Sequence, residues 1–314
     1  MRALQLKSFG GPEVLHFTDV SVGAPGENEV LIDVYSAGLN FADTERRRGL
    51  YLADQPLPAT LGLEGSGVVT ALGAKVPEVW LGRRVAFLAN GACADQCLAP
   101  VSKLIHLPDS LDFARGAAFP VQWLTAWHLV HTVAKLQRNE RVVIQSAAGG
   151  VGQALVQLAR EAGAQVTAVV SRDAKKDVVR ALGCADVRLR GDALPVVDVV
   201  LEAVGAEVVT STIAALTPFG RWVNYGTSSG PLPALDVDKL LFPKSLSFSS
   251  YWLRSEHPPG TWDTGVREVL ARLVDGRARM LVTSAPLEDA AKWHRRLEGG
   301  LTTGKVVFQV RGTR

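Results

Sequence analysis

Long apolar runs are absent from this chain. No stretch reaches the ~18 apolar residues of a membrane span, and Met1 to Leu15 holds no continuous apolar core, so neither a spanning helix nor an export signal is expected. Cysteine is scarce. Three thiols, an odd number, argue against a disulfide framework and fit a reducing, cytoplasmic setting. Excess charge is small as well: a net +3 argues against nucleic acid or a membrane surface as partner. The one basic cluster, Arg46-Arg47-Arg48, reads as a solvated face or a phosphate contact. No internal repeat or low-complexity linker is visible. What is present is an ordinary globular composition, 47% hydrophobic and 21% charged over 314 residues, long enough for two domains with large cores.

The most informative stretch runs from Arg141 to Gly163. Arg141-Val-Val-Ile-Gln-Ser146 is a short, β-branched apolar run of the kind a buried parallel strand needs. Ala147-Ala148-Gly149-Gly150-Val151-Gly152 follows, and then Ala154, Leu155, Leu158 and Ala162 recur at helical spacing up to Gly163. A strand, a glycine turn and an amphipathic helix form the first half of a dinucleotide-binding unit. The helix start offers unpaired N–H groups and positive dipole to a pyrophosphate, and glycines let the backbone approach it. The hexapeptide is a variant fingerprint, with Ala147 at the first glycine position and Gly149 and Gly152 at the others.

Before this unit, Met1 to Pro108 reads as short strands and turns, with strands at Arg2–Lys7, Glu29–Ala37, Gly65–Leu72, Arg83–Leu88 and Ala94–Ala99. Pro120 opens a helix to about Leu136. After Arg141 the period alternates. Strands are expected at Gln165–Val170, Asp186–Leu189, Val197–Ala203, Gly220–Tyr225 and Ser245–Tyr251, and helices at Gly150–Ala162, Asp173–Leu182 and Glu207–Leu216. This predicts an α/β chain whose second part is a doubly wound parallel sheet. Arg190 to Val196 is too short for a helical crossover. A helix at Thr264–Val274, a helix after Pro286 and a strand at Lys305–Val310 close the chain.

Several stretches, by number, order and spacing, carry a resemblance: Gly10-Gly-Pro-Glu-Val-Leu15, Ala37-Gly-Leu-Asn-Phe-Ala-Asp43, Gly49-Leu-Tyr51, Leu107-Pro108, the glycine hexapeptide, Tyr225-Gly-Thr-Ser-Ser-Gly230 and Gly304-Lys-Val-Val-Phe308. The chain resembles the zinc-free quinone oxidoreductase branch of the medium-chain dehydrogenase/reductase family, the branch that includes ζ-crystallin. The resemblance implies a GroES-like β domain from residues 1–119 and 263–314 around a Rossmann NADPH-binding domain at 120–262. Zinc relatives carry Cys and His where Asn40 and Leu63 stand here, so no metal is expected. Cys93 and Cys97 share the spacing of half a metal site but fall on one strand face and read as core.

Without a metal, an acceptor that spreads the incoming charge through its own π system is favoured: a quinone or conjugated carbonyl. Asn40, Asp43 and Tyr51 match the family's pocket residues and are the catalytic candidates, available to hydrogen-bond cofactor or acceptor. Asn40 as a loop-orienting group, Asp43 as a helix cap and Tyr51 as a pocket wall are the competing roles. Cofactor contacts are expected from Ala148 to Gly152. By resemblance they are also expected from Thr125 beside the nicotinamide and from Tyr225, Gly226, Thr227 and Ser228. An NAD site needs an acid about 20 residues past the glycines. Ser171, Arg172 and Lys175 stand there instead, which points to NADPH and its 2′-phosphate, and by resemblance Arg190 stands where some relatives have a Tyr near that phosphate. Asp173 is expected to cap the next helix. A 2-alkenal or enoyl-thioester reductase, or a non-catalytic NADPH-binding protein of crystallin-like or RNA-binding role, are the alternative functions. A homodimer through the edge near Ser245–Trp252 is expected.

Overall fold

The strand Glu29–Leu39 buries Val30, Ile32 and Val34 and turns Glu29, Leu31 and Asp33 the other way, the alternation of a sheet with one face on a core. It is the spine of the first of two compact units in this computed structural model, which describes residues 1–51 and 56–311. That unit comprises Met1–Val121 with the chain from Met280 on; the second is Gln122–Arg279.

In the first unit, the early half of Glu29–Leu39 pairs with Gln96–Pro100 and its late half with Lys305–Gln309, while Glu64–Leu72 runs along most of its length. Arg84–Leu88 and Leu104–His106 extend this seven-stranded sheet on one side and Val282–Pro286 on the other. A smaller sheet joins Leu15–Asp19, Arg2–Leu6 and Ala59–Thr60. The core gathers Ile32, Val69, Val85, Phe87 and Phe308. Val282–Pro286 went unread in the sequence because VTSAP has no apolar alternation; it forms as an edge strand, parallel to Lys305–Gln309.

The second unit holds six parallel strands in the order Asp186–Leu189, Gln165–Val170, Arg141–Ile144, Val197–Glu202, Leu216–Asn224 and Ser247–Ser250. The order reverses at Arg141–Ile144, so the glycine turn leaves the sheet at its topological switch point. No helix lies between Leu189 and Val197, as the seven intervening residues required. The helix Pro120–His128 continues as a π-turn over Leu129–Val133 and ends before Lys135, at φ 48°. The helix Thr261–Val274 belongs to this unit, whereas sequence alone placed the end of the nucleotide domain at residue 262. Packing decides the difference. Trp127 Nε1 donates to Glu268 at 3.0 Å, and a side chain at Gly265 would meet the Trp127 ring at 2.9 Å. Arg272 pairs with Glu161 at 2.8 Å.

Buried histidines set an acid limit on the fold. Burial, then the neighbouring His257 and His131, lowers the pKa of His128 to about 4. Burial and the Arg47 guanidinium lower His294 to about 3. Both are neutral when folded and take up protons near ~6.5 when unfolded. Their contribution is therefore intact above ~6.5 and is lost as pH falls toward the folded values. Asp43 runs the other way: burial lifts its carboxyl to about 6, so stability from this group falls as pH rises toward that value. Two histidines outweigh one carboxylate. The urea midpoint is expected to drop between about pH 7 and about pH 4.5, and His128→Gln with His294→Gln should flatten the drop. A wild-type midpoint constant across that window would refute this origin.

Candidate active site

The glycine turn is built by steric necessity. Ser146, two residues past the strand Arg141–Ile144, is left-handed at φ 53°, and the Gly149 N–H returns to Ser146 O at 2.9 Å. A Cβ at Gly152 would sit 2.3 Å from Ser146 O and 2.6 Å from Ala147 Cα, so no side chain fits. At Gly150 the Gln122 carboxamide fills the space a side chain would need, with Oε1 at 1.7 Å from an ideal Cβ. The helix Gly150–Glu161 starts behind Gly149 with no side-chain cap. The N–H groups of Gly150, Val151 and Gly152 thus precede the first intrahelical bond, Gln153 N–H to Gly149 O at 2.9 Å. Uncapped donors behind a backbone that excludes side chains fit a dinucleotide pyrophosphate. Ala148 is buried under the turn, its carbonyl accepting from Gln153 Nε2 at 3.0 Å. Gln122 was missed by the sequence reading, since nothing local ties it to the turn.

Ser171 and Arg172 emerge exposed from the end of Gln165–Val170, and Lys175 is half-buried one turn later. Burial, and then the charges of Arg172 and Arg190, pushes the Lys175 ammonium below its usual range, so three cations lie close together. Asp173 does not act as the expected cap: Arg172 precedes the turn, and Asp173 pairs with Lys176 at 3.0 Å. Arg190 Nη1 lies 2.9 Å from Glu207 Oε2.

Tyr225 to Ser228 follow Leu216–Asn224 and are anchored by Glu202, a fully buried carboxylate that sequence reasoning overlooked. Glu202 Oε2 accepts from the Val204 and Gly205 N–H groups at 2.8 and 2.9 Å. Its Oε1 accepts from Trp222 Nε1 at 3.3 Å and Asn224 Nδ2 at 2.5 Å. Asn224 Nδ2 also reaches Gly226 O at 2.8 Å, and the Ser228 N–H donates to Ala203 O at 3.0 Å. Burial and the Glu202 charge push the Tyr225 hydroxyl up, which keeps it a neutral phenol. Thr125 lies buried on Pro120–His128.

In the first unit, register assembles a buried charged cluster. Leu39 pairs with Val306 and Ala37 with Gly65, so Asn40, Lys305 and Glu64 meet at one end of the sheet. Lys305 Nζ donates to Asn40 Oδ1 at 2.7 Å and to Glu64 Oε1 at 2.5 Å. Asn40 Nδ2 donates to the same Glu64 oxygen at 2.7 Å, and Glu64 Oε2 accepts the Val121 N–H at 2.7 Å. Gly38 makes room for this carboxylate: its Cβ would lie 2.7 Å from Glu64 Oε1. Asp43 accepts the Asn40 N–H at 2.9 Å in the first turn of Phe41–Arg48. Of the roles weighed for these two residues, the internal bonds are those of a loop-orienting Asn40 and a helix-capping Asp43. Both ends of the Asn40 carboxamide are engaged internally, and Asp43 is a 2% exposed group that caps its own helix. Tyr51 lies half-buried two residues after the left-handed Gly49.

Zinc does not fit these residues. The Glu64 carboxylate is already matched by an ammonium, the Asn40 oxygen is turned to the same cation, and Leu63 is apolar core. Among the described residues no group of three His, Cys, Asp or Glu side chains is placed to hold a metal. Cys93 and Cys97 are buried thiols; burial pushes Cys97 up to about 12 and Cys93 well above its ordinary value.

Comparison with known proteins places this geometry. Residues 26–118 match the family profile described as alcohol dehydrogenase GroES-like domain, and residues 150–271 match that described as zinc-binding dehydrogenase. A quinone oxidoreductase of Pseudomonas aeruginosa is 32% identical over 98% of this chain and 99% of its own length. A phenolphthiocerol/phthiocerol polyketide synthase of Mycobacterium tuberculosis is also 32% identical over 98% of this chain, which spans only 15% of that protein's length. The structure of Escherichia coli quinone oxidoreductase complexed with NADPH superposes with a TM-score of 0.93 at 27% identity, covering 98% of this chain and all of that one. With an uncapped glycine turn at the switch point, and a buried Lys305 ammonium set on Glu64 and Asn40, the chain belongs to the zinc-free quinone oxidoreductase branch of the medium-chain dehydrogenase/reductase family.

Proposed function

We propose that this protein is an NADPH-dependent oxidoreductase that delivers hydride to a quinone or conjugated carbonyl without a metal. The observation that carries the reading is the uncapped start of Gly150–Glu161 at the sheet's switch point, with Arg172, Lys175 and Arg190 where an NAD site needs an acid. NADPH, when bound, supplies the hydride. The chain's own residues bind and orient. The N–H groups of Gly150, Val151 and Gly152 hold the pyrophosphate, and Ser171 with the three cations holds the 2′-phosphate. Thr125 and the Tyr225–Ser228 turn, fixed by Glu202, serve the nicotinamide end.

On the acceptor side Asn40 keeps a second Nδ2 hydrogen beyond the one given to Glu64. Asp43 acts through Asn40 by holding its N–H, and Tyr51 supplies a phenol. The Lys305 ammonium is spent on Glu64 and Asn40, which leaves the acceptor without a strong electrophile. That favours acceptors whose π system takes the charge. The test is steady NADPH oxidation over a panel of quinones, enals and enoyl thioesters. Turnover is expected to be fastest with quinones and unchanged after exhaustive chelation. Preference for enoyl thioesters would move the assignment to an enoyl reductase, and loss of activity on chelation would overturn the metal-free reading.

The strand Ser247–Ser250 ends the parallel sheet, and Phe219 and Phe242 near it are 78% and 77% exposed. An open edge with exposed aromatics invites pairing, which supports a two-fold homodimer formed through this edge. Light scattering at micromolar concentration is expected to report twice the 33.6 kDa chain mass, and a monomer would refute it. No helix among the described residues is long and apolar enough to cross a membrane. Three buried thiols outside any disulfide support a cytoplasmic setting, and the small net charge supports the absence of a nucleic-acid partner.

A further inference from the structure

Arg190 and Glu207 reach each other across the carboxyl edge of the parallel sheet. Arg190 directly follows Asp186–Leu189, and its N–H donates to Val170 O at 2.9 Å, which sets it beside Ser171. Glu207 sits in the short turn Ala206–Val208 after Val197–Glu202, on the other side of Arg141–Ile144 in the strand order. Three strand spacings, ~14 Å, separate the two parent strands. Even so, Arg190 Nη1 and Glu207 Oε2 are 2.9 Å apart. The pair spans the edge from which the glycine turn emerges. Glu207 is itself held there, its N–H donating to Ser229 Oγ at 3.2 Å.

We propose that Glu207 is a specificity-determining residue that competes with the 2′-phosphate of NADPH for Arg190, one anion exchanging for the other when the cofactor binds. The inference rests on the NADPH reading and adds to it a residue that tunes the preference. Three features support it. The ion pair is exposed enough to exchange, with side chains 27% and 56% accessible. A phosphate dianion forms stronger charge-assisted bonds to a guanidinium than an exposed carboxylate does, and here it also meets Lys175 and Arg172. Glu207, if it stayed on Arg190, would place a like charge beside the phosphate. A dinucleotide without the 2′-phosphate has nothing to exchange.

The experiment is equilibrium binding of 2′,5′-ADP and 5′-ADP to the wild type, Glu207→Gln, Arg190→Gln and the double variant, at low salt, with thermal melting as a folding control. Glu207→Gln is expected to tighten 2′,5′-ADP by about fivefold, the ceiling for an exposed ion pair, and to leave 5′-ADP unchanged. In the Arg190→Gln background the gain should vanish. An unchanged or weaker affinity of Glu207→Gln for 2′,5′-ADP would overturn the competition. So would a gain of the same size in the Arg190→Gln background. The wild type separately reports the underlying reading: no preference for 2′,5′-ADP over 5′-ADP would defeat the NADPH assignment itself.

Discussion

Lys305→Met is expected to lower the free energy of unfolding by about 3–5 kcal/mol, the usual cost of stranding one partner of a buried ion pair. Lys305 is 2% exposed and Glu64 fully buried, with 2.5 Å between Nζ and Oε1. Removing the ammonium leaves a carboxylate held only by the Asn40 Nδ2 and Val121 N–H donors. The Asn40 Oδ1 loses its partner at the same time. Lys305→Met with Glu64→Gln removes the charge as well as its partner and should recover most of the loss, because a neutral amide in that place strands no charge. Urea unfolding of the two variants at pH 7 measures this. A single variant within about 1 kcal/mol of wild type would show that the cluster contributes little.

Arg172→Ala with Lys175→Ala should weaken NADPH binding on the order of a hundredfold, two charge-assisted phosphate contacts being lost together. NADH binding should change little, since a ribose hydroxyl does not need those charges. The salt dependence of NADPH binding should become shallower, as the exposed attraction is the part that salt screens. Fluorescence titration with both cofactors across a range of ionic strength gives all three readouts. Equal losses for NADPH and NADH, or a wild type that prefers NADH, would remove Lys175 and Arg172 from the phosphate site. The pairing of Arg190 with Glu207 explains why Arg190 is left out of this pair of substitutions: its charge is already shared with a carboxylate at 2.9 Å.

Some of this protein was decided by the sequence alone. The strand, glycine turn and helix from Arg141 to Glu161 lie within a few residues of one another, and their periods of two and 3.6 are local properties of the chain. The same holds for Gln165–Val170, which forms over the residues read from its β-branched run, and for the missing acid at Ser171. The steric demand for glycine at position 152 is local too, since the atoms in the way belong to Ser146 and Ala147. Tertiary structure decided the rest. Asn40 was legible as a candidate, but not its partners: Glu64 lies 24 residues on and Lys305 another 241, and only the register of three strands brings them together. Gln122 against Gly150, Glu202 on Trp222 and Asn224, and Glu207 on Arg190 are likewise contacts made by side chains distant in sequence. Such pairs leave no periodic trace, because a buried or bridging polar group is specified by what it meets, not by its neighbours along the chain.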